Sequence, residues 1–137
     1  MYKLSKRSLR NLEGVHPLLV NIVHRALELS DIDFTVVEGL RTIEKQREYY
    51  NKGASKTMRS YHLKQSDGYS HAVDIYPYYN GSVQVNAPFD YFRRIANAMM
   101  EAGDEYGVIL TWGADWDRDG DTRDHTFVDS PHYQIEL

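Results

Sequence analysis

Hydrophobic positions in this chain fall into blocks whose period switches between helix and strand. In residues 16–29, HPLLVNIVHRALEL, Leu18, Leu19, Ile22, Val23, Ala26, Leu27 and Leu29 recur at helical spacing. This predicts an amphipathic helix with His16-Pro17 at its start and Ser30-Asp31 at its end. His24 within it reads as a polar helix position. Residues 33–38, DFTVVE, are rich in β-branched types and predict a short strand ending at Gly39. Thr42 reads as the N-cap of a second helix, which Asn51-Lys52-Gly53 stops. Residues 54–71 are polar and predict a long loop carrying His62 and His71; loops of this length in a compact domain are usually functional or mobile.

His71 to Pro77 predicts a strand that Pro77 ends, with Val73 and Ile75 on one face and Asp74 on the other. Asn80-Gly81 is a hairpin signal. A long helix is expected over residues 88–106, with Phe89, Phe92, Ile95, Ala96, Met99 and Met100 on its apolar face. Val108 to Trp112 reads as a buried strand and His132 to Leu137 as an alternating one. The order helix, strand, helix, loop, strand, helix, strand, acidic loop, strand argues for an α+β fold, a small domain with an antiparallel sheet and flanking helices. At 137 residues, one domain over 1–137 is expected.

Composition narrows the chemistry. The absence of cysteine excludes a disulfide framework and a thiolate metal site, so any transition metal must be held by histidine and carboxylate. The basic start, Met1 to Arg7, runs into polar residues, so no secretory signal is expected, and no apolar run is long enough to insert in a membrane. No basic stripe supports nucleic-acid binding. The net charge is −4, yet only two of the 16 basic residues lie after residue 100 against ten of the 20 acidic ones. Acid is thus concentrated where cations would sit.

Two patterns could use such cations. Asp115, Asp117 and Asp119 alternate ahead of Gly120, the D-x-D-x-D-G opening of a calcium loop in which alternate oxygens point at a hard ion. The twelfth loop position falls on Thr126 and not on a bidentate glutamate, so the second half departs from the pattern. Asp121 and Asp124 can complete the shell, and Asp115, Asp117, Asp119 and Asp124 are the expected calcium ligands. A catalytic zinc needs three protein ligands and one open position, and His62, Asp74 and His132 can supply them. Asp74 interrupts an apolar strand, a costly place for a lone charge, so it asks for a cation or an arginine partner.

These residues carry a resemblance. Ser60-Tyr61-His62, Ala72-Val73-Asp74 and Asp129-Ser130-Pro131-His132 resemble the S-x-H, A-x-D and D/E-x-x-H elements of the M15 zinc peptidases. Glu38-Gly39-Leu40-Arg41-Thr42 with Gln46 resembles that family's upstream G-x-R-[ST] segment. Order and length, together with Gly113-Ala114-Asp115-Trp116 before the acidic loop, are most similar to the single-domain L-alanyl-D-glutamate endopeptidase endolysins of T5-type bacteriophages. The resemblance implies a hedgehog/D,D-peptidase-like fold and Zn2+ on His62, Asp74 and His132. It implies Asp129 as general base and Arg41 as the group that binds a substrate carboxylate or polarises the scissile carbonyl. Ser60 and Gln46 are supporting candidates. It also implies a regulatory Ca2+ in the acidic loop, bacterial peptidoglycan as substrate, and a monomer made in the host cytoplasm that acts in the periplasm or cell wall.

One departure falls on a ligand. The family spaces its aspartate seven residues after the histidine, whereas Asp74 comes twelve after His62. A five-residue insertion accounts for this; without it the slot falls on Asp67, and His71 is a further contender for the first ligand. The competing functions are D-alanyl-D-alanine carboxypeptidase or dipeptidase, and a non-catalytic calcium-binding wall module.

Overall fold

The computed structural model describes residues 2–55, 57–123 and 128–137. The helical block after His16 folds as a helix over Pro17–Leu29, in which the His16 imidazole accepts the Leu18 amide at 3.1 Å and proline occupies the first turn. It is α2, because a short helix, α1 (Lys6–Asn11), precedes it. The strand expected before Gly39 is β1 (Phe34–Glu38), followed by α3 (Ile43–Asn51), whose N-cap Thr42 accepts the Lys45 amide at 3.1 Å. Then come β2 (Ala72–Tyr79), β3 (Ser82–Val83), α4 (Phe89–Glu105), β4 (Ile109–Trp112) and β5 (His132–Glu136).

The strands form an antiparallel sheet in the order β1-β2-β5-β4, and β3 adds to β2 through the Asn80-Gly81 turn. Both turn residues have positive φ, 54° and 78°, as a tight hairpin of this hand demands. Strand periodicity then divides the sheet into two faces. Val36, Val73, Ile75, Leu110, Tyr133 and Ile135 are buried in one core with Leu19, Ile22, Val23, Ala26 and Leu27 of α2 and Ile95, Met99 and Ala102 of α4. Each large apolar side chain so buried contributes roughly 1.5–3 kcal/mol. The alternate residues, Asp74, Tyr76, His132, Gln134 and Glu136, belong to the opposite face, which among the described residues no helix covers in the same way.

Three expectations change. Pro77 does not end β2. Its carbonyl accepts the Gln84 amide at 2.9 Å, while the Ile75 amide, on the same side, donates to Pro131 at 2.8 Å. The missing donor of Pro77 therefore falls where the partner of β2 changes from β5 to β3, and no ladder bond is lost. Phe89, expected in the core, is 41% exposed and stacks on Trp112 with ring centroids 5.6 Å apart. Ile109 is 57% exposed because β4 ends the strand order and is a sheet edge.

α1 was not foreseen, because polar side chains hold it and no apolar stripe does. Ser5 caps it, the buried Ser8 hydroxyl accepts the Val36 amide at 3.0 Å, and Asn11 donates to the Val36 and Val37 carbonyls at 2.9 and 3.2 Å. These bonds cover the free edge of β1. Among the described residues no helix is long and apolar enough to cross a membrane.

Candidate metal centre

Asp74 points away from the core because Val73 and Ile75 point into it. Across the β2–β5 ladder its register partner is His132, and alternation puts His132 on the same open face. His62 comes from the long loop. His62 Nε2 lies 3.1 Å from Asp74 Oδ1, and His132 Nδ1 lies 3.3 Å from that same oxygen. One ligand atom from each of the three falls within 4.8 Å of the others.

The outward nitrogens decide which atoms face inward. His62 Nδ1 lies 2.8 Å from the Gly39 carbonyl, which can only accept, so in the neutral ring Nδ1 donates and Nε2 presents its lone pair to the cluster. His132 Nε2 is 2.8 Å from Gln134 Oε1. The Gln134 amide nitrogen donates to Glu136 at 3.0 Å, which orients its oxygen to His132, so the inward Nδ1 is again the lone pair. Tyr61 and Thr111 hydroxyls donate to the same Glu136 carboxylate, at 2.9 and 2.8 Å. Three acceptors facing one another need a cation or a proton between them. Two imidazoles, each oriented from behind, and one carboxylate fit zinc with an open position.

His71 and Asp67 do not join the cluster. His71 Nε2 is 2.7 Å from Asp67 Oδ2, and both lie against His16, with His71 and His16 rings 5.4 Å apart. The additional residues between His62 and Asp74 fold back on the start of α2, where the Ser70 amide donates to the Gly14 carbonyl and the His16 amide to the Ser70 carbonyl. Folded back in this way, the intervening residues leave His62 beside Asp74 in space.

Two glycines allow the close approach. A Cβ on Gly39 would lie 2.1 Å from the Asn11 carbonyl oxygen, and one on Gly113 would lie 2.1 Å from that of Asp129 and 3.0 Å from the His132 Cβ. Gly113 donates to His132 and accepts from Asp129, each at 2.8 Å, while the Trp112 indole donates to the Ser130 carbonyl at 2.7 Å. The turn bearing Asp129 and His132 is therefore pinned to the end of β4. Burial, and after it the charge of Asp74, pushes the Asp129 carboxyl above its usual range, against the opposing pull of His132. Burial also acts to raise Asp74, but His62 and His132 outweigh it and hold that carboxyl well below the usual range.

Arg41 approaches from the other side. Its guanidinium pairs with Glu38, donates to Gln46 Oε1 at 2.7 Å, lies 3.8 Å from Asp74 and covers the Tyr49 ring at 4.5 Å. Gln46 is fully buried and also donates to Ser55 and Thr57, and the Ser60 hydroxyl accepts the His62 amide at 3.1 Å. Arg41, Glu38, Tyr49 and Ser60 line an open groove of about 690 Å³ together with the His62, Asp74 and His132 cluster and Asp129, with Tyr61, Tyr76 and Trp116 on its walls. In the acidic loop, Asp115, Asp117 and Asp119 bring one oxygen each within 4.8 Å of the others. Asp124, the fourth expected calcium ligand, lies outside the described residues.

The model of a family described as phage L-alanyl-D-glutamate peptidase matches residues 1–137. The chain belongs to that family. The L-alanyl-D-glutamate peptidase of Escherichia phage T5 is 37% identical to this member over 123 residues, which are 90% of this chain and 88% of that protein. A solved structure, the L-Ala D-Glu endopeptidase ChiX of Serratia marcescens, superposes with a TM-score of 0.82 at 38% identity, covering 98% of this chain and 90% of that one. The α+β fold expected from the motifs is the one this member adopts.

Sequence reasoning missed two groups in this family member. Gln134 was signalled by its place two residues after His132 on a strand, which puts both on one face. Glu38 carried no such signal. A register shift between Val36 and Glu38 makes Glu38 oppose Asp74 in place of continuing the core face of Phe34 and Val36. This irregularity re-aims the carboxylate to the arginine three residues on.

Proposed function

We propose that this chain is a zinc peptidase that hydrolyses the L-alanyl-D-glutamate bond of the peptidoglycan stem peptide, serving as a phage endolysin. The observation that carries the reading is the convergence of a carboxylate and two lone-pair nitrogens, the nitrogens oriented from behind, beside a raised carboxyl in one groove. His62, Asp74 and His132 would hold the ion. Zinc in such a site supplies Lewis acidity, which makes water acidic near neutral pH and polarises a carbonyl.

The chain's own groups supply the rest. Asp129 takes a proton from the attacking water as its oxygen bonds to the alanyl carbonyl carbon, and returns that proton to the glutamyl nitrogen as the C–N bond breaks. A carboxyl raised by burial suits both steps, because it is a stronger base than an exposed one. Arg41 counters the negative charge that builds on the carbonyl oxygen, and Glu38, Gln46 and Tyr49 keep its planar fork in place. Ser60 fixes the turn that presents His62. Digestion of purified peptidoglycan followed by mass spectrometry tests the bond: release of intact stem peptide beginning at D-glutamate supports it, whereas loss of only a terminal D-alanine favours the carboxypeptidase reading.

Ca2+ on Asp115, Asp117, Asp119 and Asp124 would order the acidic loop that leads into Asp129 and His132, so an enzyme made at low cytoplasmic calcium would gain activity in the wall. Equal turnover by the zinc-loaded protein with and without a calcium-selective chelator would overturn this coupling.

A further inference from the structure

Among the described residues three cationic side chains line the groove, and they differ in how far their charge is answered. Arg41 is paired with Glu38 and near Asp74. Lys45 lies 3.9 Å from Glu48 and 5.2 Å from the centroid of the Tyr49 ring. Arg59 is exposed, and among the described residues no carboxylate comes within ion-pair distance of it. Its backbone is nonetheless held on both sides. Its amide donates to the Thr57 hydroxyl at 2.9 Å, Thr57 is tied to buried Gln46, and the hydroxyl of the next residue, Ser60, accepts the His62 amide. A free guanidinium on a fixed backbone is thereby presented to the groove. Three residues separate Arg59 from His62, so their Cα atoms are at most about 11 Å apart, within reach of a side chain this long.

The inner wall poses the converse problem. Glu38, Asp74 and Asp129 all line it, and with these charges already set against Arg41 and the ion proposed above, no positive charge is left over there for a substrate carboxylate, which a further cation at the rim would hold. An L-alanyl-D-glutamate bond has such a carboxylate. Glutamate joins the peptide through its nitrogen and one carboxyl, and its second carboxyl stays free or, in some walls, is amidated. A free carboxylate accepts two parallel N–H bonds from a guanidinium, whereas a carboxamide has one acceptor oxygen and turns its own donors toward the fork.

Building on the function proposed above, we propose that Arg59 is a specificity-determining residue that reads the free carboxylate of the glutamyl residue, so that the chain prefers the acid form of the stem peptide over the amidated form. The test measures kcat/KM of the zinc-loaded protein on two synthetic stem peptides, identical except that one carries D-glutamate and the other D-isoglutamine. The acid should be cleaved about tenfold faster at low salt, and the preference should shrink at high salt, as expected for an exposed charge pair. Arg59→Gln should remove the preference by slowing only the acid peptide, and Arg59→Lys should keep part of it. Equal cleavage of both peptides by the unaltered protein, or a parallel loss on both in Arg59→Gln, would overturn the role of Arg59 and leave the assigned bond intact. Cleavage of neither peptide would overturn the assigned bond and this proposal with it.

Discussion

The two acid-bearing clusters of this chain hold their oxygens by opposite means. His62, Asp74 and His132 come from a loop and two strands and meet on the open face of the sheet, Asp74 set by its place on the β2–β5 ladder and the two imidazoles oriented by Gly39 and Gln134. Asp115, Asp117 and Asp119 come from one short loop and bond their own backbone, with the Gly120 amide donating to Asp115 at 2.9 Å and the Asp121 amide to Asp119 at 2.8 Å. Positive φ at Arg118 and Gly120, 59° and 83°, curls that loop on itself. The first cluster is built before any ion arrives, whereas the second is local, largely exposed and dependent on whatever neutralises it.

The sharpest way to break this comparison is His132→Ala. Removing a preorganised ligand should lower turnover by about a thousandfold or more, the worth of several kcal/mol of Lewis-acid stabilisation, and abolish stoichiometric zinc by metal analysis. Retained zinc and activity would mean that the cluster is not the centre. Next, Asp129→Asn should keep zinc bound while kcat falls roughly 10²–10⁴-fold, the range for a general base; a variant with unchanged kcat would assign the proton transfer elsewhere. Gln134→Ala tests the orientation from behind. Competition with a chelator should report zinc affinity reduced roughly 10–100-fold, and no change would show that the His132 ring is held by other contacts.

On the other side of the comparison, Asp119→Asn should weaken calcium binding in calorimetry by about tenfold, with zinc content unchanged. A fall in zinc as well would show that the clusters are not separately built. The smallest expected effect is a pH dependence. Burial acts to raise Glu136, but bonds from Gln134, Thr111 and Tyr61 outweigh it and lower the carboxyl below its ordinary value of 4.5. A folded value below the unfolded one gives stability that is complete above the unfolded value and is lost as pH falls through the folded one. Thermal melts should therefore show the unaltered chain losing stability faster than Glu136→Gln below about pH 4.5, and parallel acid limbs would remove Glu136 from the network.

Much of this was legible in advance, and the exceptions share a cause. The blocks that became α2, α4, β2 and β5 were readable because each buries one face, and burial writes a period into the chain. The same alternation signalled Asp74 opposite Val73 and Ile75, and it held Gln134 in plain view two residues after His132. α1 escaped because two polar side chains, Ser8 and Asn11, hold it to β1. Pro77 misled because a missing donor matters only where a neighbouring strand expects it. The choice among His62, His71 and Asp67 could not be made from spacing, since the intervening residues fold onto the start of α2.

By itself, then, the sequence determined which side chains are available, on which face of a strand each lies, and that hard and borderline cations would have acid and imidazole to meet. Only the tertiary structure decided that His62 and neither contender approaches Asp74, that Glu38 is turned by a strand irregularity to hold Arg41, and that Arg59 stands exposed at the groove. The physical reason is that periodicity is set by contacts within one element. The meeting of a loop, a bulge and a strand is set by backbone bonds and close approaches between residues far apart in the chain, which no local pattern records.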